Sequence, residues 1–311
     1  MICGPTAGGK TATAVALARL LREKHGITAE VVTADAYQVY KGMDIGTAKP
    51  TLAEREGIPH HLIDLVEPTE RFTLDQWLSA AEAKITELRE RGVLPIVVGG
   101  THLYIKALMD GLFEGPAANP ALRMELEALD PATRRAELER VDPAAALRIH
   151  PNDLRRTVRA LEVFRLTGKA ISDHQGQWDK PAGGRADAFL VALNWPTEAL
   201  NRRINARVKQ MMTQGLLDEV KRIAADPGFG PQSCEALGYK QLLPLIRQQG
   251  YTNTSLEDII ERIKVETRRF GKSQRTWLRR LSPLQGCVPI DASFDNAQTI
   301  AQTIVNTLLA Q

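Results

Sequence analysis

Ala14, Leu17, Ala18 and Leu21 recur at i, i+3, i+4 and i+7, which is one apolar stripe at helical spacing. Through roughly the first 110 residues such helical patterns alternate with short β-branched runs. "EVVTAD" is a strand ending in Asp35, "HHLIDLV" reads as another, and "LPIVVGG" is a continuous apolar strand stopping at Gly99-Gly100, preceded by a helix from about Leu74 to Arg91. This rhythm predicts a parallel α/β sheet flanked by helices. From about Pro116 to Gly184 the strand signals vanish. Only helical patterns remain there, punctuated by Pro116, Pro120, Pro131, Pro143, Pro151 and Pro181, so an inserted all-helical domain is expected. "DAFLVALNW" returns to strand, and Thr197 to Leu281 is mostly helical with breaks at Gly228 to Pro231 and around Gly250. "GCVPID" is a last short strand and Asn296 to Leu309 a closing helix. The expected organisation is a core of residues 1–115, a helical insertion of 116–184, and the rest of the core with basic helices in 185–311.

Composition adds bounds. With 311 residues, 43% of them hydrophobic and 25% charged, the chain is globular in composition and long enough to bury a large core. Its formal net charge of +3 announces no polyanion partner by itself. Cys3, Cys234 and Cys287 lie far apart, which argues against a disulfide framework or a zinc site. No stretch approaches the roughly 18 apolar residues of a membrane span. A cytoplasmic protein that avoids membranes is expected.

The first chemical signal is "GPTAGGKT", a G-x-x-x-x-G-K-T loop from Gly4 to Thr11 placed ahead of the first helix. Gly4, Pro5, Thr6, Ala7, Gly8 and Gly9 shape a turn whose backbone N–H groups converge on phosphate, and the helix N-terminus adds positive potential. Lys10 reaches the terminal phosphate oxygens, and Thr11 holds Mg²⁺. The fold expectation therefore sharpens to a P-loop NTPase-like parallel sheet. Only Met1, Ile2 and Cys3 precede Gly4, so either this first strand is unusually short or the natural start lies upstream.

Ligands of open α/β sheets sit outside the carboxyl ends of strands, where Asp35 and the Gly99-Gly100-Thr101 turn both fall. Asp35 is a candidate general base, a metal-organising carboxylate, or a turn cap. The following "DAYQVYKGMDIGTAKP" is long and glycine-punctuated, as functional loops are. His60 and His61 have no partner at ligand spacing and are read as structural.

Two segments concentrate basic charge. In "NDLRRTVRALEVF", Asp153 or Asn152 caps a helix with Leu154, Val158 and Leu161 on one stripe and Arg155, Arg156 and Arg159 on another. From Arg262 to Arg280 there are eight basic residues and one acid, Glu266, with Ile263, Phe270 and Trp277 seven apart on a packed face. A solvated face is the bland reading of such charge. Phosphate-backbone binding fits the excess better.

In order along the chain, "GPTAGGKT", "DAYQVYKGMDIGTAKP", "GGTHLY", "HPNDLRRTVRALEVF", "EALGYKQ" and "GKSQRTWLRR" resemble the tRNA dimethylallyltransferase family, also called tRNA isopentenyltransferase. The resemblance implies that the loop holds the pyrophosphate of dimethylallyl diphosphate instead of ATP. It further implies prenyl transfer to N6 of adenosine 37, in the anticodon loop of tRNAs reading codons that begin with U. By it Asp35 is the base, and Asp35, Ala36, Tyr37 and Gln38 contact the adenine. Thr6 to Thr11 form the diphosphate site. Arg207 neutralises the diphosphate, with Arg203 as the competing assignment. Thr101, Arg123, Arg155, Arg156, Thr157, Val158 and Arg159 contact tRNA, as do Lys272, Ser273, Gln274, Arg275, Thr276, Trp277 and Arg279. The implied chain is a monomer of bacterial type that uses Mg²⁺, its helical insertion gripping the anticodon stem. Departures from the family pattern are Gly9 and Ala36 for serines, His102 for a glycine, and Ser273 for an arginine. The rivals are a P-loop small-molecule kinase, with ATP in the loop, and a non-catalytic RNA-binding module.

Overall fold

The computed structural model describes residues 1–111, 115–174, 187–247, 255–281, 287–293 and 296–309. Pro181, Gly250 and the expected boundary at 184–185 lie outside them. Six strands, β1 (Ile2–Cys3), β2 (Ala29–Ala34), β3 (His60–His61), β4 (Leu94–Gly99), β5 (Leu190–Asn194) and β6 (Cys287–Asp291), form one sheet in the order β3-β2-β4-β1-β5-β6. Every pairing is parallel. β1 has only two residues, yet it sits at the sheet's centre, with Ile2 opposite both Val98 and Val191.

Helices cover both faces, which is why the central strands read as continuous apolar runs. On one face Ala14, Leu17, Ala18 and Leu21 of the Lys10–His25 helix pack with Ile300 and Ile304 of the Ala297–Leu309 helix against Ile2, Val31, Ile96, Val98 and Val191. On the Leu74–Glu90 helix, Trp77 is fully buried and its Nε1 donates to the Thr33 carbonyl at 3.0 Å. A capping box between Thr73 and Gln76 starts that helix.

The expected "HHLIDLV" strand stops after two residues. Leu62 and Asp64 have positive φ, 61° and 54°, which takes the chain out of the extended region. His61 is structural: its Nε2 meets the buried Glu30 carboxylate at 2.6 Å, and Arg91 reaches the other oxygen at 2.9 Å.

By contacts the chain divides into one unit of Met1–Leu108 with Asp187–Gln311 and another of Met109–Ala186. The second unit is helical in its described residues: Pro120–Ala128, Pro131–Val141, Pro143–Arg148, Leu154–Thr167 and Ile171–His174. Pro120, Pro131 and Pro143 each open a helix behind an Asn119, Asp130 or Asp142 cap, where the missing N–H costs nothing. Leu126, Leu138, Val158 and Leu161 form its core.

Candidate active site

The loop from Gly4 to Thr11 leaves β1 and enters the Lys10–His25 helix at the carboxyl edge of the sheet. Ala7 and Gly9 adopt positive φ, 58° and 82°, which turns successive amides toward one side. The loop's carbonyls are tied back into the protein. Lys10 Nζ donates to the Pro5 carbonyl at 2.8 Å, Arg203 Nε to that of Ala7 at 2.7 Å, and Trp195 Nε1 to that of Gly8 at 3.1 Å. The amides of Ala7, Gly9, Lys10, Thr11 and Ala12 have no hydrogen bond among the described residues. Thr6 and Gly8 are the exceptions: the Thr6 amide donates to Gln274 Oε1 at 2.7 Å and the Gly8 amide to the Pro5 carbonyl at 3.1 Å. What remains is a cradle of free N–H groups at a helix N-terminus, which is an anion site.

Two cations flank it. Burial pushes the Lys10 ammonium down to about 8, the charge of Arg207 adds to that, and Asp35 and Cys3 work against it. Arg207 is lowered as well, by burial first and then by Arg203, with Glu54 and Asp35 opposing. No hydrogen bond or ion pair holds the Arg207 guanidinium among the described residues. Arg203, in contrast, is committed: it supports the Ala7 carbonyl and lies 4.7 Å over the Trp195 ring. Two desolvated cations beside free amides are a site built for concentrated negative charge, and Arg207 is the arginine left free to meet it. A cleft of about 670 Å³ opens on this wall, lined by Gly8 to Ala12, Arg203 and Arg207 together with Ala48, Pro50 and Glu54.

Asp35 follows the last residue of β2, as expected, and it does cap a turn. Its Oδ1 accepts from the amides of Tyr37 at 2.9 Å and Gln38 at 3.2 Å. Its Oδ2 has no partner among the described residues, so the cap uses one oxygen and leaves the other. The Thr101 hydroxyl accepts from the Ala36 amide at 3.2 Å. Gln38 Nε2 donates to the carbonyls of Thr47 and Ala48 at 3.1 and 3.3 Å, closing the long loop on itself. Tyr104, stacked on Trp77 at 4.5 Å, has its phenol pushed up by burial and then by Asp35.

The 36–48 loop is held from outside by residues that no local pattern announces. The buried Glu219 carboxylate accepts from the amides of Asp44, Ile45 and Gly46 at 2.9 to 3.3 Å and from Tyr239 Oη at 2.5 Å. Gly46 admits this: a Cβ there would sit 2.3 Å from the Tyr239 ring. Lys49, buried, donates to the Tyr40 carbonyl and to Asp44 and Asp64 at 2.5 to 2.8 Å. Tyr239 lies in "EALGYKQ", so the quoted motif marked a loop anchor before any chemistry for it was visible.

The Leu256–Leu281 helix corrects the basic-face reading in two ways. Gln274 is 2% exposed and bridges Thr6 to the Gly100 carbonyl (2.8 Å), so its side chain is held in the phosphate loop and not displayed on the basic surface. Phe270 is 43% exposed and so is not part of the packed face, whereas Ile259, Ile263, Gln274 and Leu278 are buried. Of the eight cations, Arg262 pairs with Glu266, Lys264 with Glu261, Arg268 with Asn205 and Arg275 with Thr197. Arg269, Lys272, Arg279 and Arg280 are exposed and unpaired among the described residues. Ser273 and Thr276 are exposed beside Lys272, and Trp277 is half-buried.

In the helical unit Thr157 and Val158 are 3% and 2% exposed and face its core, so their side chains are not surface contacts. Arg123 and Arg159 converge on Glu162, which is fully buried: Arg123 grips both carboxylate oxygens at 2.9 Å and Arg159 adds one contact at 2.5 Å. Arg155 and Arg156 are exposed, with Asp153 capping the helix beneath them.

A parallel sheet with an amide cradle and paired cations at its carboxyl edge defines a P-loop phosphate-binding protein. Two family models match the chain: "IPP transferase" over residues 38–281 and "Isopentenyl transferase" over residues 1–72. The chain belongs to the IPP transferase family. It is 42% identical to the tRNA dimethylallyltransferase of Pelotomaculum thermopropionicum over 98% of this chain and 94% of that one. It is equally identical to that of Thermomicrobium roseum over 91% and 84%. Among solved structures, the full-length tRNA isopentenylpyrophosphate transferase of Bacillus halodurans superposes with a TM-score of 0.71 at 37% identity, covering 99% of this chain and 94% of that one. A eukaryotic dimethylallyltransferase acting on tRNA superposes with a TM-score of 0.81 at 32% identity, covering 99% and 78%.

Proposed function

We propose that the chain transfers the dimethylallyl group of dimethylallyl diphosphate to N6 of adenosine 37 in tRNAs that read codons beginning with U, giving N6-isopentenyladenosine. The observation that carries this reading is the pairing of Lys10 and Arg207, two desolvated cations, with free loop amides and a half-used carboxylate at Asp35. An adenine amino group is a weak nucleophile because its lone pair is delocalised into the ring. The reaction therefore needs a proton acceptor and a stabilised leaving group.

Asp35 Oδ2 takes the N6 proton as N6 attacks the allylic carbon and the carbon–oxygen bond to diphosphate breaks. Oδ1 meanwhile keeps the carboxylate fixed through Tyr37 and Gln38. Lys10, Arg207 and the amides of Gly9 to Thr11 receive the pyrophosphate. Thr11 would hold Mg²⁺, since it follows the loop lysine at the cradle and its hydroxyl has no hydrogen bond among the described residues. In a P-loop the Ser/Thr hydroxyl after the lysine ligates Mg²⁺ while substrate phosphates and water complete its shell, and Thr11 occupies that position. When bound, the ion neutralises charge developing on the leaving group.

Adenosine 37 must leave its stack to reach Asp35, at a cost of a few kcal/mol. Exposed cations at Arg155, Arg156, Arg269, Lys272 and Arg279 are suited to offset it through phosphate contacts. One assay tests the whole reading. With labelled dimethylallyl diphosphate, γ-labelled ATP, Mg²⁺ and unmodified tRNA, prenyl label should enter tRNA while the ATP label stays in place. Transfer of the ATP label to a small molecule would overturn the reading in favour of a kinase.

A further inference from the structure

His102 opens the His102–Asp110 helix, directly after Thr101, whose hydroxyl holds the Ala36 amide. Its ring stacks on Trp277 with centroids 4.5 Å apart and planes 11° from parallel. Its Nε2 is buried and has no hydrogen-bond partner. Buried polar atoms in native proteins find a partner in protein, water or ligand, and His102 Nε2 finds none within the protein.

The ring is also neutral. Burial and the nearby Lys10 charge hold His102 down at about 4, so at physiological pH it carries one N–H and one lone pair. A neutral group is a poor partner for a diphosphate that already has Lys10, Arg207 and the loop amides. It is a good partner for an uncharged heterocycle. Thr101 ties the segment to Ala36, the residue after the candidate base Asp35, and His102 does not line the cleft on which the phosphate cradle opens.

We propose that His102 is a positioning residue for the acceptor base: its Nε2–H donates to a ring nitrogen of the extruded adenine and, with the Trp277 stack fixing the imidazole, sets the angle at which N6 meets the allylic carbon. The inference rests on the prenyl-transfer reading above.

The test uses the full chain and anticodon stem-loops carrying adenosine, 1-deaza-, 3-deaza- or 7-deazaadenosine at the acceptor position. Each analogue removes one ring-nitrogen acceptor. His102→Phe keeps a flat ring against Trp277 and removes the donor, and His102→Gln restores a donor. Wild-type prenylation of the adenosine loop is the control for the transferase reading itself; without it that reading fails, whatever His102 does. Given that control, His102→Phe should lower kcat/KM for the adenosine loop roughly tenfold, the size expected when a buried hydrogen bond loses one partner. The loss should vanish on one deaza loop only, KM for dimethylallyl diphosphate should hold, and His102→Gln should recover part of the rate. An unchanged rate in His102→Phe, a loss equal on all loops, or a loss confined to KM for the diphosphate would each overturn the proposal.

Discussion

Gln274 Oε1 accepts the Thr6 amide at 2.7 Å across 268 residues of chain, so a side chain of the basic helix closes one rim of the phosphate loop. Its Nε2 donates to the Gly100 carbonyl at 2.8 Å, where a Cβ on residue 100 would lie only 2.6 Å from it. Loop, sheet edge and helix are thus fastened at one buried amide.

Removing that fastening should loosen the cradle without touching any cation. Gln274→Ala is expected to raise KM for dimethylallyl diphosphate about tenfold, as an unpaired buried Thr6 amide and Gly100 carbonyl cost of order 1–3 kcal/mol. Salt dependence of tRNA binding should stay as in the wild type. A steeper or shallower salt slope with normal diphosphate KM would return Gln274 to the RNA interface.

The helical unit separates two kinds of arginine. Arg155→Ala with Arg156→Ala removes exposed charge and should lower the salt slope of tRNA binding by about 1 to 2, with melting unchanged. Arg159→Ala instead leaves the buried Glu162 short of a partner and should destabilise the fold by about 3 kcal/mol. Burial alone would raise the Glu162 carboxyl, but Arg123, the Asn119 amide and Arg159 outweigh it and hold it below the ordinary range. A depressed carboxylate stabilises above its unfolded value near pH 4.5 and loses that contribution as pH falls through the folded one. The stability gap between wild type and Glu162→Gln, measured by denaturant titration, should therefore be full at neutral pH and shrink toward pH 3.

The phosphate loop, Asp35 and the central strands were legible because each is a local pattern. A glycine spacing, a β-branched run and a residue at a strand's end need no knowledge of distant chain. The anchors were not. Glu219 holds Gly46 from 173 positions away, and its sequence neighbourhood is an ordinary amphipathic helix. The partners of the basic residues were hidden for a related reason, since charge counts do not say which arginines already have partners. Arg123 and Arg159 are spent on Glu162, a residue that in sequence is one more acid on a helix. Spacing of seven likewise put Phe270 on the buried line, yet it is 43% exposed, because helical spacing gives a direction and not whether another element covers it.

Lys10 supplies a pH signature. Its ammonium, held down at about 8, is partly neutral in the free protein under mildly alkaline conditions and must be charged to meet diphosphate. Affinity for dimethylallyl diphosphate should be constant below that pH and fall as pH rises above it, approaching tenfold per unit, with proton uptake on binding. Calorimetry in two buffers of different ionisation enthalpy measures the uptake. Lys10→Arg should bind without that pH dependence, and uptake that persists in the arginine variant would assign the titration to another group.

Asp35 carries two tasks on two oxygens, and the pair of substitutions Asp35→Asn and Asp35→Ala separates them. Asparagine keeps an acceptor at Oδ1 for the Tyr37 and Gln38 amides but cannot take a proton, so the turn should persist while the chemistry fails. Loss of a general base costs about 10² to 10⁴ in rate, or roughly 3 to 5 kcal/mol of barrier, and should appear in kcat with little change in KM for tRNA. Alanine removes the cap as well and should lower stability by about a further 1 kcal/mol. Melting temperature and single-turnover prenylation on the same preparations decide between the roles. If Asp35→Asn melts like wild type and turns over normally, the carboxylate is only a cap. The proton would then have to leave through another group at the strand ends, and not through the Tyr104 phenol, which burial pushes up and keeps protonated.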